Sequence, residues 1–533
     1  MPFTDRDDGS IFYVRRDTAQ FYRFSAARAT SPKDPVLTEL LWGDRVRLER
    51  NRDGSFREAD GRCRARARGR FGWVDRADLG PHALLELYFI DVGQGDGVLI
   101  KTPNGRHILI DGGYPRQSQP TGKNAADFVD WKFIKDYESR DKTIVLDAMI
   151  CSHNDHDHYG GLADLLDPDQ LQGGQQVELD AARVSLEHFY HAGLSWWRTA
   201  EHSRTLGPIA TTTGGSMHTL LLDDRASLEA GLAPGADPQL QGYWSDFLKK
   251  MRATTTSAGE PTPLTRLSSA IPFLPGFESP GDAGAGDTPE PVVHVIGPVE
   301  FEVDGAPAIR NYSGGEDINT NGNSVLLRLD CGGVRFVLTG DLNSKAHAAL
   351  LQDYKGMEAV FECDVAKACH HGSGDVSFAF LEAMSPCVTV ISSGDSEGHD
   401  HPRPEIISAS ALAGHREIKK DKVVTPLIYL TELARSVEIG KVSKVYTVDA
   451  DGAESDGIDL ASLRATAKVT KAGDLNPSTE TRGMRGSYVV TGLVYGLINI
   501  RTDGKRILCA ALNEKSRTWN VAVVKPKPRP QNP

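Results

Sequence analysis

The sequence predicts an α/β protein, a pseudo-symmetric two-sheet sandwich preceded by a small all-β barrel. Three observations carry that reading. Residues 11 to about 80 read as short β segments broken by turns, the chain from Leu85 turns to strands that are apolar on both faces, and a second strand-rich half begins at Val292. At 533 residues the chain is also too long for one ordinary domain of roughly 100–200 residues.

The first expected domain, 1–82, rests on "IFYVRR", "GDRVRLERNRDGSF" and "GRFGWVDRADL". Trp42-Gly43-Asp44 and Gly72-Trp73-Val74 in these segments resemble the strands of bacterial SH3-like domains. Within "GRCRARARGR", Arg62, Arg64, Arg66, Arg68 and Arg70 alternate with small residues, so one extended strand would put five guanidiniums on one face. Such a face either contacts phosphate or an acidic polymer, or is solvated and neutralised by acids such as Glu49 or Asp60.

The second expected domain is 83–510. "LYFIDV", "GVLIKT" and "HILIDGG" are its first strand cores, with "PNG" as a hairpin turn. "KTIVLDAMICSHNDHDHYGGLADLL" adds a strand, a loop and a helix beginning at Gly161. Residues 165–300 read as a helical insertion that closes on the linker-like "SPGDAGAGDTPEP". "VVHVIGP", "NSVLLRLDCGGVRFVLTGD", "CDVAKACHHGS" and "VTVISSGD" follow as strands, and 511–533 is expected as a C-terminal extension ending in a disordered, proline-rich tail.

Composition narrows the class. Hydrophobic residues make up 39% of the chain and charged residues 25%, and no stretch approaches the roughly 20 apolar residues of a membrane span, so no membrane partner is expected. The N-terminus carries acids where a secretory signal would carry a basic region, which points to the cytoplasm. Seven cysteines without CxxC spacing read as reduced thiols. A net charge of −12 argues against a surface that binds nucleic acid throughout, while leaving room for a local basic patch.

The chemistry concentrates in "SHNDHDHYGG". His153, Asp155, Asp157 and His158 follow an H-x-D-x-D-H spacing after a buried strand, where a short loop can aim several side chains at one point. Imidazole with carboxylate suits zinc, manganese or iron, and two ions roughly 3.5–4 Å apart would share a bridging carboxylate. Gly160-Gly161 beside the motif is expected to permit a close backbone turn.

With "DVGQGD" and "LIDGG" before it and "LTGD", "HHGS" and a late His-Pro after it, this motif resembles the metallo-β-lactamase fold, and more narrowly the hydrolase domain of the ComEC family of competence proteins, over about residues 85–410. The resemblance implies an αββα sandwich and a metal-dependent hydrolase; the ComEC branch is associated with degrading one DNA strand during uptake. It implies that His153 and Asp155 bind one ion, Asp157 and His158 the other, that Asp341 bridges both, and that His401 completes the second site, with His399 a nearby competitor. Arg403 stands where the family commonly has a second histidine. His371, ahead of His370, is the implied general acid, with Asp157 at the reacting centre. Asp96 and Asp111 would orient the ligands, and Asn323 and Ser324 could line the pocket. The usual mid-chain histidine ligand has no clear counterpart, though His191 or His218 could be recruited.

The expected cofactors are therefore two divalent metal ions, zinc or manganese, the carboxylate-rich set favouring manganese. The expected activity is phosphodiester hydrolysis of DNA or another nucleic acid, with Arg64, Arg66 and Arg68 as a phosphate track and a regulatory protein as a further partner. Hydrolysis of a small phosphodiester, thioester or lactone, or an inactive binding or scaffold role, are the alternatives.

Overall fold

The computed structural model describes residues 9–25, 36–119, 122–281 apart from 173, 175 and 176, 287–394, 401–431, 497–513 and 518–529, with shorter stretches between 438 and 491. The chain divides into two compact units, Met1–Arg435 with Tyr495–Pro533, and Ser436–Val494. The second holds short antiparallel pairs such as Glu438–Lys441 with Tyr488–Thr491. Among the described residues no helix is long and apolar enough to cross a membrane.

The first unit is built on two sheets. The nine-stranded sheet runs, in spatial order, Leu264–Arg266, Phe189–His191, Ala148–Cys151, His107–Ile110, Val98–Lys101, Leu85–Phe89, Ile498–Thr502, Ile507–Asn513 and Thr518–Val524. The six-stranded sheet runs Val292–Gly297, Leu326–Cys331, Val334–Leu338, Val365–Lys367, Val388–Ile391 and Leu427–Leu430. Strand alternation sorts the side chains. Leu87 and Phe89 share a core with Leu327, Phe336 and Val388 of the other sheet. Tyr88, between them in sequence, packs instead in the core that holds Phe128 and Leu162 of the helices Ala125–Asp130 and His156–Leu165. Val337 and Ala366 of the six-stranded sheet join Ala346, Phe380 and Ile406 from three further helices.

An eight-stranded sheet spans Ile11 to Gly80 around Phe21, Leu40, Val46 and Val74. The expected boundary at residue 82 falls inside one compact unit. Leu41, Trp42 and Leu84 belong to the core of the nine-stranded sheet, and the fully buried Arg501 of that sheet donates to Leu41 O at 3.3 Å and pairs with Asp44 at 2.7 Å and Glu86 at 3.2 Å.

Three expectations change. Residues 165–300 hold helices, but they also supply two parallel strands, Phe189–His191 and Leu264–Arg266, to the main sheet, so this segment completes the fold. Residues 518–529 are not a disordered tail. Thr518–Val524 pairs with Ile507–Asn513, and beyond it Arg529 pairs with the buried Asp364 at 2.8 Å, because the proline-rich end carries cations that meet acids of the first unit. The arginine strand presents three guanidiniums on one face. Ala67 pairs with Arg70, leaving Arg68 (φ 49°) and Gly69 (φ 70°) as a two-residue hairpin turn whose left-handed backbone redirects Arg68 and starts a new strand at Arg70.

Candidate metal centre

All the motifs meet at one edge of the two sheets. His153 to His158 follow the Ala148–Cys151 strand, Asp111 follows His107–Ile110, Asp96 precedes Val98–Lys101, Asp341 follows Val334–Leu338, and His370-His371 follow Val365–Lys367. A crevice outside the carboxyl ends of parallel strands is where an open α/β sheet gathers such residues.

The helix after the motif starts at His156, five residues earlier than expected, with Asp155 as its N-cap. The Asp155 side chain makes no cap hydrogen bond, so its carboxylate stays directed elsewhere, 3.6 Å from His153 Nε2. Asp157 and His158 occupy the first helical turn. Gly160 and Gly161 serve close packing and not a turn: a Cβ on Gly161 would lie 2.0 Å from Gly112 O, so only glycine lets this helix approach the loop that carries Asp111.

Asp341 is the convergence point. Its Oδ2 lies 2.8 Å from His371 Nε2, 3.2 Å from His158 Nε2 and 3.9 Å from His370 Nε2. Asp157 stands 3.4 Å from His371 and 4.0 Å from His158. Asp96, His158, Asp341 and His371 each offer an atom within 4.8 Å of the others, all four buried. His153 Nε2, Asp341 Oδ1 and His371 Nδ1 are buried without a hydrogen-bond partner. Buried polar atoms left unpaired are costly, and a cation held between them would satisfy them, so this donor set fits a divalent metal.

Behind these groups, Asp111 accepts from the Ser152 N–H at 2.7 Å and holds His158 Nδ1 at 2.9 Å. Ser324 Oγ accepts from the Asp341 N–H at 3.1 Å and lies 3.3 Å from His153 Nδ1. Asn323 points away, donating to Arg310 O and Asn319 O. His370 and His371 both take left-handed φ, 46° and 50°, a conformation that costs non-glycine residues about 1–3 kcal/mol each and clusters at functional sites.

The site has a charge partner that sequence reading missed. Lys367 is 2% exposed, pairs with Asp96, donates to Gly340 O at 2.9 Å and lies 3.6 Å from Asp341 Oδ1. Burial opposes charge on all these groups, yet their neighbours outweigh it. Asp341 and Asp111 hold His158 well above its ordinary pKa, and Asp341 and Asp96 do the same for His371. His158 and His371 in turn keep Asp157 and Asp341 below the carboxylate range. Burial pushes His370 down, against the pull of Asp341.

The cleft in front of the cluster has a volume of about 560 Å³, and its walls include Asp155, Asp157, Asp341, His370, His401 and Arg403. His399 lies outside the described residues. His191 and His218 are not among the cleft residues; His191 is buried and accepts from the Gly193 N–H at 3.1 Å. Arg64 and Arg66 lie in the N-terminal sheet and Arg68 in its hairpin turn, and they pair with Glu49 at 3.5 Å, Glu138 at 2.6 Å and Asp44 at 2.9 Å, so their charges are met by carboxylates.

No family model matches the chain. Over 103 residues, 19% of this chain, it is 27% identical to ComE operon protein 3 of Bacillus subtilis (strain 168), and over 107 residues, 20% of this chain, 33% identical to competence protein ComA of Neisseria gonorrhoeae. These stretches span 13% and 15% of the two relatives. Among solved structures, Tm1679, described as a metal-dependent hydrolase of the β-lactamase superfamily, aligns with 65% of this chain and 96% of its own at 11% identity and a TM-score of 0.28. Through its two curated relatives the chain resembles the ComEC family over about a fifth of its length.

Proposed function

We propose that this chain is a metal-dependent hydrolase that cleaves phosphodiester bonds in DNA or another nucleic acid, that its two facing sheets with helices outside form a metallo-β-lactamase αββα sandwich, and that its N-terminal sheet is an SH3-like barrel open to a regulatory protein partner. The observation that carries the activity is the convergence of His158 and His371 on one oxygen of Asp341 at the floor of an open cleft. The resemblance to the competence proteins supports nucleic acid as the substrate.

Two divalent ions, zinc or manganese, are the proposed cofactors. His153 and Asp155 would hold one, Asp157 and His158 the other, with Asp341 between them, His401 at the cleft wall, and Asp96 and His371 as further donors from the buried cluster. Such ions supply positive charge to a phosphoryl oxygen and make a water more acidic. The protein's own residues do the rest. Asp111 fixes the ring of His158, and Ser324 fixes Asp341. His371 is enclosed by carboxylates and absent from the cleft wall, whereas His370 lines that wall with its side chain 26% exposed, so His370 is better placed to exchange a proton with a departing oxygen.

The test is incubation of the purified protein with labelled single- and double-stranded DNA in Mn²⁺ or Zn²⁺, with Asp341→Asn as the contamination control. Metal-dependent cleavage that disappears in the variant is the expected result. Cleavage that survives in Asp341→Asn, or turnover of thioesters or lactones without any phosphodiester cleavage, refutes the reading.

A further inference from the structure

An aromatic shelf stands beside the cleft. The helix Gly242–Arg252, from the segment between the two halves, is anchored by Trp244 and Phe247, whose rings meet Tyr159 of the motif helix at 5.2 Å and 5.4 Å. Trp244 Nε1 also donates to Ser195 Oγ at 3.1 Å. Because that face is committed inward, the adjacent Tyr243 must point out, and it is 73% exposed. Its ring nonetheless lies parallel to that of His156, centroids 5.2 Å apart and planes 5° apart. His156 in turn meets Tyr114 edge-on at 5.8 Å, and both His156 and Tyr114 are walls of the cleft that holds Asp157 and Asp341.

A single exposed tyrosine is ordinary. This one differs in being stacked on the wall of a polar cleft, with most of its surface still open to a planar partner. A flat, apolar ring is what such a surface takes up, and nucleobases stack on aromatic side chains with about 1–3 kcal/mol per base, whatever their identity. In a duplex those faces are already occupied by neighbouring base pairs. Resting on the nucleic-acid reading above, we infer that Tyr243, with His156 and Tyr114, forms a stacking platform for an unpaired base next to the phosphate in the cleft, which makes single-stranded nucleic acid the preferred substrate.

The experiment separates this platform from the hydrolase reading. Binding of the full chain to a labelled single strand of roughly twelve nucleotides, and to an abasic strand of the same length, is measured by fluorescence anisotropy in chelator; cleavage of both is then measured in Mn²⁺. The wild type is expected to bind the base-bearing strand about 5- to 150-fold more tightly than the abasic one. Tyr243→Ala should lose that difference and raise KM for the base-bearing strand toward the abasic value, while Tyr243→Phe keeps it. Equal binding of the two strands by the wild type, no binding of either, or discrimination retained in Tyr243→Ala overturns the platform. Metal-dependent cleavage of both strands with equal KM leaves the hydrolase reading standing without the platform. Base-dependent binding lost in Tyr243→Ala, with no cleavage in Mn²⁺, leaves the platform without the hydrolase.

Discussion

Replacing Lys367 with methionine keeps the length of the side chain and deletes its charge. In the wild type that charge pairs with Asp96 and lies 3.6 Å from Asp341 Oδ1, with all three groups out of water. At an effective dielectric of about 20, a pair at that distance is worth about 4–5 kcal/mol. Removing one partner of a buried pair typically costs about 3–5 kcal/mol, because the other charge is left uncompensated. The metal-free variant should therefore be less stable by about 3–5 kcal/mol, read as a lower urea midpoint in chelator. Saturating Mn²⁺ should narrow the gap, since bound cations take over the neutralisation of the same carboxylates and stabilise the variant by mass action. Equal stability of the two metal-free proteins, or a gap that Mn²⁺ leaves unchanged, would refute the view that Lys367 balances the site's charge.

The raised pKa values of His158 and His371 make metal-free stability pH-dependent: their contribution is complete below the unfolded value of about 6.5 and is lost as pH rises through the folded values, so chelator-treated protein should weaken steadily on the alkaline side. A metal must displace those same protons, so Mn²⁺ affinity measured by calorimetry should rise over that range and binding should release protons into the buffer. Asp111→Asn removes the carboxylate that holds His158 Nδ1 and should weaken metal affinity about 10–100-fold, with little change in the metal-free fold by circular dichroism. Gly161→Ala forces a Cβ to within 2.0 Å of Gly112 O, and should show a lowered thermal midpoint together with weaker metal binding, because the two loops of the site are pushed apart.

Local pattern carried much of this site into view. The H-x-D-x-D-H spacing, the strands on either side of "PNG" and the "LTGD" and "HHGS" segments all report on near neighbours in sequence, and they are the pieces found together at one sheet edge. What stayed hidden depends on partners far along the chain. Lys367 reads as a strand residue until the topology sets it against Asp96, and the arginine strand reads as a basic track until Glu138 arrives from another part of the fold to pair with Arg66. Two glycines suggest a turn and a helix start at Gly161, whereas in the fold they let a helix that starts at His156 approach Gly112. The proline-rich end has the composition of a solvated tail; the acids that hold it, Glu362 and Asp364, come from elsewhere.

The Arg501 junction bears on how the protein is made. Asp44 and Arg501 are separated by 457 positions, and the Leu85–Phe89 strand has Ile498–Thr502 as one of its two neighbours. At about 5–20 residues per second, the ribosome spends on the order of 20–90 s between synthesising one side of this contact and the other. For that interval Leu85–Phe89 has Val98–Lys101 on one side and an open margin on the other, and Asp44 and Glu86 lack the Arg501 guanidinium. Over that stretch of synthesis the nascent chain carries an open, adhesive edge, and arrival of the Ile498–Thr502 strand is the event that covers it.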